Sequence, residues 1–228
     1  MSPSNELLPD PLPAEPMTTV AAWLAEAAAR RHQPNPNAMV LATTTRDGHP
    51  SARVVLCKDI AVEPGYLVFY TNYQSRKGRE LAENPRAAAV IHWDHLGRQI
   101  RIEGVVAQAS VEESDAYFAS RPWRSRVGAW ASAQSQPLQS RAKLLTSVLD
   151  TARRLGVPDP GDETAVDVAT VIPRPPHWGG YRLWVDALEL WVDGKARVHD
   201  RARWTRVLSE HGAGQFEAGP WTVTRLQP

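Results

Sequence analysis

Twice in its first half the chain runs β-forming residues into a tight turn and straight back, and nowhere does it repeat the strand-helix-strand alternation of a parallel sheet. That pattern confines it to antiparallel β architecture. Ala38 to Thr45 and Ser51 to Asp59 flank Arg46-Asp47-Gly48-His49-Pro50, where Asp-Gly supplies the turn. Arg86 to Trp93 and Arg98 to Ala109 flank Asp94-His95-Leu96-Gly97 in the same way. Tyr66 to Thr71 is a further strand, entered through Pro64-Gly65. Tyr181 to Val185, Leu188 to Val192, Ala196 to Arg203 and Trp221 to Leu226 also read as strands, and they need partners from the first half. The Pro- and Asp-rich stretch Gly156 to Pro176 is therefore a connector and not a domain boundary. These readings predict a mainly β fold with peripheral helices, built as one closed antiparallel barrel.

The helices are marked by their caps. Thr18 or Thr19 can open a helix running to about His32, with Val20, Trp23, Leu24, Ala27 and Ala28 on one apolar face. Ser75 to Asn84 is a short helix closed by Asn84-Pro85, Ser110-Val-Glu-Glu113 is a capping box that opens a helix holding Tyr117 and Phe118, and Arg141 to Leu155 is helical. Residues 1–17, with Pro3, Pro9, Pro11, Pro13 and Pro16, read as a mobile arm, and residues 18–228 as a single domain. With 228 residues, 43% of them hydrophobic, a real core is available.

Charge and cysteine content exclude several partners. Lys plus Arg number 26 against 25 Asp plus Glu, so a net +1 gives no global field for nucleic acid or an anionic membrane. The single Cys57, read as a small buried hydrophobe on its strand, rules out an internal disulfide and a Cys-based zinc site and suits a reducing cytoplasm. Val20 to Ala29 carries Glu26 and runs into Arg30 and Arg31, too short and polar to span a bilayer, and no export signal is visible. His92, His95 and His177 lack acidic partners at ligand-like spacing, so no metal is expected. The glycine-rich dinucleotide, Walker, zincin and nucleophile-elbow motifs are all missing.

What remains is a set of cations at element ends. In Glu189 to Arg201, Arg197, His199 and Arg201 fall at every second position, so on an extended strand all three share one face. Such a face cannot pack into an apolar core and needs anionic or polar groups opposite, unless it is a solvated edge. Ser75, Arg76 and Lys77 place two positive charges on the first turn of a helix, where free N–H groups and the dipole already favour anions; a solvated loop is the alternative. Cations at that end destabilise the helix unless an anion is bound, so the run reads as a phosphate seat. Arg53 and Lys58 add charge on the second strand.

Five segments stand in a fixed order: Arg53-Val-Val-Leu-Cys-Lys58; Phe69-Tyr-Thr-Asn-Tyr-Gln-Ser-Arg-Lys-Gly78; Gly97-Arg-Gln-Ile-Arg-Ile-Glu-Gly104; Ser120 to Ser135; and Trp178-Gly-Gly-Tyr-Arg182 continuing to the Arg-x-His-Asp-Arg run. In that order, from about Ala38 to Pro228, the chain resembles the pyridoxamine 5'-phosphate oxidase family of FMN-dependent enzymes. The resemblance implies an FMN-binding split barrel, homodimeric, with sites at the subunit interface and a C-terminal dimerisation and substrate region at about 173–228. It implies that Arg53, Val54, Val55, Leu56 and Lys58, with Ser75, Arg76 and Lys77, take FMN, the cations meeting its phosphate side. Tyr70, Thr71, Gln99, Gln134, Ser135, Trp191 and Arg201 complete the flavin site. Lys58, Tyr117, Arg121 and Ser125 hold the substrate phosphate, while Arg197 and His199 of the partner subunit face the pyridine ring as the catalytic pair.

The implied reaction is oxidation of pyridoxamine or pyridoxine 5'-phosphate to pyridoxal 5'-phosphate, with hydride passing from C4' to flavin N5 and O2 taking the electrons as hydrogen peroxide. Leu190, Arg126 and the Ile91-His92 pair depart from the commonest family residues, and Arg126 adds charge beside the phosphate clamp. A phenazine-biosynthesis oxidase on the same barrel is the nearest alternative, although a carboxylated phenazine gives a phosphate clamp nothing to hold. A flavin-binding protein without turnover and a deazaflavin-using reductase are the others. Tyr117 beside Phe118 also has a plain reading as core packing, and Gln134-Ser135 as ordinary loop.

Overall fold

The hairpins form where the turn residues place them. The structure, a computed structural model, describes residues 6–164, 170–212 and 214–228. Residues 1–5 of the expected arm and 165–169 of the connector lie outside the described residues. Strand β1 (Ala38–Thr44) pairs antiparallel with β2 (Pro50–Leu56), from Ala38 opposite Leu56 to Thr44 opposite Pro50, with Gly48 at φ 82 making the turn. After β3 (Asp59–Ala61), β4 (Tyr66–Asn72) and helix α2, which follows α1 (Met17–Arg30) and spans Arg76–Glu83, comes the second hairpin. It joins β5 (Arg86–Trp93) to β6 (Arg98–Gln108) through a 3-10 turn closed by Gly97 at φ 56.

The expected strands 181–185 and 188–192 are one strand, β7 (Trp178–Val192). Its register against β6 slips between Glu103 and Gly104, a bulge that leaves Asp186 without a register partner on β6. Gly104 is required there, since a Cβ would stand 1.8 Å from the Trp184 carbonyl oxygen. β7 pairs with β6 along most of its length, with β4 through its first half and with β8 (Asp200–Thr205) through its second. The short β9 (Leu208–Glu210) and β10 (Phe216–Ala218) pair only with each other, and β11 (Thr222–Leu226) adds to β8.

The strands run round the core in the order β2-β1-β5-β6-β7-β4, but β2 and β4 share no ladder. The barrel is split and not closed, which corrects the reading from periodicity alone. At the split the chain crosses from β2 to β3, and Lys58 donates its backbone N–H to Val68 at 2.8 Å. Inside, Leu41, Leu67, Phe69, Ile91, Trp93, Ile100, Ile102 and Leu183 are fully buried. Each such side chain contributes on the order of 2 kcal/mol by leaving water.

Three further differences from the sequence reading have local causes. The described part of the arm is docked: Leu8 is buried and its N–H donates to Asp200 at 2.8 Å, while Trp204, Trp221 and Arg225 donate to Pro13, Glu15 and Pro9. Between α3 (Val111–Ser120) and α5 (Arg141–Leu155) lies an unexpected helix, α4 (Trp123–Ala131), whose Trp123 and Val127 join Phe118, Ala152 and Trp178 in a second core. Strand β8 starts at Asp200 and not at Ala196, because Lys195–Arg197 form a 3-10 turn in which Ala196 and Arg197 have φ of 54 and 64. Among the described residues no helix is long and apolar enough to cross a membrane.

Candidate active site

The split between β2 and β4 opens into a cavity of about 1030 Å³. Its wall brings together Arg53, Val54, Val55, Leu56 and Lys58 from β2 and its end, Tyr70 and Thr71 from β4, and Arg76 and Lys77 from α2. Tyr117, Arg121 and Ser125 face them from α3 and α4, with Gln134 and Ser135 from the loop after α4. Residues far apart in sequence, and expected to share ligands, therefore share one space.

One end of the cavity is built on the start of α2. The Ser75 hydroxyl caps the helix by accepting the Gly78 N–H at 3.3 Å. Gly78 lets the turn close on Tyr73, whose carbonyl oxygen would stand 2.0 Å from any Cβ there. Lys77 is buried, and its Nζ donates to Thr71 at 2.9 Å, Ser75 at 3.2 Å and the Gln134 Oε1 at 3.2 Å, all neutral acceptors. Burial, helped by the charge of Arg53, lowers its pKa to about 8. A buried ammonium with no carboxylate partner on a helix N-terminus is a seat for an anion.

Beside it stands a residue that the sequence reading missed. Glu80 is buried and accepts from Thr43 at 2.5 Å, Ser51 at 2.7 Å, Arg76 Nε at 2.8 Å and Arg53 at 3.2 Å. Burial alone would raise its pKa, but these donors outweigh that effect and hold it at about 2. The one available signal was its position four residues after Arg76 on a helix.

The part of the lining around Tyr70 is aromatic and cationic. Tyr117 stacks on Tyr70 with centroids 3.8 Å apart and planes 14° apart, and Trp178 continues the stack 5.6 Å from Tyr70. Burial first, then the charge of Glu113, pushes the Tyr70 hydroxyl up to about 12, so it stays protonated. Arg121 lies over the Trp178 ring at 4.6 Å, and its buried Nη1 has no hydrogen-bond partner among the described residues. Desolvation lowers its pKa. An orphaned guanidinium N–H at a cavity wall calls for an acceptor from a ligand.

Gln99, Trp191, Arg197, His199 and Arg201 are not on this wall. Gln99 faces Trp191 across β6 and β7, and Trp191 faces Arg201 across β7 and β8, so these three form one row on the outer face of the sheet. His199 packs on Trp191 at 4.6 Å, and its Nδ1 lies 3.2 Å from Asp193. Buried Glu189 holds Arg201 at 2.8 Å and Arg101 at 3.2 Å. Arg197 is exposed on its 3-10 turn, so the expected common strand face of 197, 199 and 201 does not form; only Arg201 is on a strand.

Trp178 lines the cavity, whereas Trp191 lies thirteen positions further along the same strand, up to about 43 Å at ~3.3 Å per residue. A single copy of the chain leaves the two groups apart. The outer face that carries the row also exposes Val54 (63%) and Val40 (43%), paired with each other, and Val40 also pairs with Val90.

These residues fit an FMN-like group on two counts. Lys77, held only by neutral acceptors at the α2 N-terminus, suits its single phosphate, and the cavity lined by Tyr70 and Tyr117 is large enough for a flat ring. Among the described residues no cluster of His, Cys, Asp or Glu is fit to hold a metal ion.

Known proteins place the chain in a family. Residues 25–151 match the pyridoxamine 5'-phosphate oxidase family model, and residues 178–228 match the pyridoxine 5'-phosphate oxidase C-terminal dimerisation region. A pyridoxine/pyridoxamine 5'-phosphate oxidase of Paraburkholderia phymatum is 50% identical over 195 residues, 86% of this chain and 81% of that protein. One from Paracoccus denitrificans is 45% identical, covering 94% of this chain and 95% of its own. Among solved structures, PhzG from Burkholderia lata in complex with tetrahydrophenazine-1-carboxylic acid matches with TM-score 0.81 at 33% identity over 98% of both chains. An FMN-binding protein of Nostoc punctiforme shares the fold at TM-score 0.66 and 16% identity, covering 95% of this chain and 98% of its own. With two family models spanning most of its length and relatives near half identity, the chain belongs to the pyridoxamine 5'-phosphate oxidase family of flavin-dependent oxidases.

Proposed function

We propose that the protein oxidises pyridoxamine 5'-phosphate and pyridoxine 5'-phosphate to pyridoxal 5'-phosphate, using FMN and O2, as a homodimer with two shared sites. The observation that carries this reading is the pair of anion seats lining one cavity, Lys77 at the α2 N-terminus and Arg121 at the end of α3. FMN and the substrate each bring one phosphate, and each phosphate needs fixed cations. The bound flavin supplies the two-electron oxidation.

The chain's own residues bind and orient. Arg76 and Lys77 hold the FMN phosphate, and Arg53 adds its charge beside them from the wall; Val54, Val55, Leu56, Tyr70, Thr71, Ser75, Gln134 and Ser135 line or support that side. Lys58, Tyr117, Arg121 and Ser125 grip the substrate phosphate, which fixes the ring at a productive distance and turns binding into rate. The partner subunit supplies the 197–201 segment, with Arg197 and His199 over the substrate ring and Arg201, Trp191 and Gln99 against the flavin. Pairing through the apolar outer face around Val40 and Val54 would carry that row to the other subunit's cavity.

The similarity to PhzG at TM-score 0.81 supports one second reading, a flavin oxidase acting on a tricyclic carboxylic acid. Anaerobic mixing with pyridoxamine 5'-phosphate separates the two. Bleaching of the flavin with pyridoxal 5'-phosphate appearing supports the first. An unchanged spectrum with pyridoxamine phosphate, but bleaching by a reduced phenazine carboxylate, supports the second. No bleaching with either points to a flavin-binding protein without turnover.

A further inference from the structure

We propose that Glu80 is a positioning residue for the phosphate end of the flavin site, aiming the Arg76 guanidinium at the phosphate and tying Arg53 into the wall. The inference rests on the FMN reading above and goes further by assigning a role to an acid where acids ordinarily weaken anion binding.

A donor count favours this role over simple competition with the phosphate. Arg76 gives only its Nε to Glu80, at 2.8 Å, and its side chain is 57% exposed. The four N–H groups on its two terminal nitrogens have no partner among the described residues, so they form a free fork that can take a phosphate bidentately. Arg53, by contrast, is anchored: its terminal nitrogens donate to Leu41, Thr43, Ser51 and Glu80. Glu80 is itself fixed by the Thr43 and Ser51 hydroxyls, so the carboxylate is a rigid hub. It cancels one of the three nearby positive charges, and Lys77 lies outside its bonding. Held this way, two arginines and a lysine coexist at one helix end before any ligand arrives.

Coulombic and positioning effects predict opposite signs, which makes the proposal easy to overturn. Removing a negative charge next to an anion site should tighten FMN binding if charge alone matters. If Glu80 positions Arg76, Glu80→Gln should weaken FMN binding at least tenfold. Glu80→Asp, which keeps the charge but withdraws it by one methylene, should weaken it as well. Apoprotein is titrated with FMN and separately with riboflavin, which lacks the phosphate, following flavin fluorescence, with folding checked by circular dichroism.

The expected result is a loss of FMN affinity in both variants, with riboflavin affinity unchanged. In an Arg76→Met background the Glu80→Gln effect should largely vanish. Unchanged or tighter FMN binding by Glu80→Gln and Glu80→Asp would overturn the proposal, as would equal losses for FMN and riboflavin. If Glu80→Gln fails to fold, Glu80→Asp alone decides between the two outcomes. Wild-type protein that prefers riboflavin, or binds neither flavin, would instead sink the FMN reading itself.

Discussion

At the scale of single residues, Lys77 carries the most tension. Its folded pKa of about 8 lies below the ordinary 10.5, because burial, and then the charge of Arg53, work against its charged form. While the amine stays protonated in both states, that difference counts against the folded form. As pH rises through about 8 the folded form releases its proton while the unfolded form keeps one up to about 10.5, so apoprotein stability should increase across that window. Thermal melts of wild-type and Lys77→Met apoprotein between pH 7 and pH 10 check this. The variant should melt higher at pH 7 and lack the rise, yet bind FMN at least tenfold more weakly. A variant that binds FMN like the wild type would remove Lys77 from the site.

At the scale of elements, the start of α2 and the 195–199 turn divide the work. Gly78 sits against the Tyr73 carbonyl oxygen, and Gly78→Ala should cost roughly 2 kcal/mol or more and loosen the seat, seen as a lower melting temperature together with weaker FMN binding. The 195–199 turn lies at the far end of β7 from that seat. Arg197→Met or His199→Leu should therefore lower kcat/KM by at least tenfold while the purified protein stays yellow. A colourless variant of either kind would put the turn in the flavin-retaining machinery instead.

The elements also show what could be read from the chain. The two hairpins, α2 and α3 were legible because their turns and caps are local: Asp47-Gly48, the Asp94 to Gly97 turn, and the Ser75 and Ser110 caps. The 3-10 turn was not, because Ala196 and Arg197 take left-handed φ that sequence patterns assign to glycine or asparagine. Helix α4 was missed because its nine residues bury only Trp123 and Val127, too few to show a helical period. Glu80 was missed because its partners come from β1, β2 and its own helix, a meeting that only the folded barrel creates. Most cavity residues are recognisable in the sequence only through the resemblance to a family. Pattern alone gave the Ser75-Arg76-Lys77 seat and the charges of Arg53 and Lys58.

At the scale of the whole molecule, the split in the barrel and the length of β7 set the logic. The split makes a cavity with two anion seats, and β7 carries the remaining candidate residues away from it. A site completed by a second copy follows if the family's C-terminal dimerisation region, matched at 178–228, works here as its name says. Each site of such a dimer takes its cavity from one subunit and its 197–201 segment from the other.

Subunit complementation tests that claim most directly. Arg121→Met damages the cavity and Arg197→Met damages the segment, so each homodimer should be nearly inactive toward pyridoxamine 5'-phosphate. Refolded together in equal amounts, half the dimers should be mixed, and each mixed dimer should own one intact site. The mixture should thus recover about a quarter of wild-type activity, from symmetry alone. A mixture of confirmed heterodimers no more active than its parents would contradict the shared site.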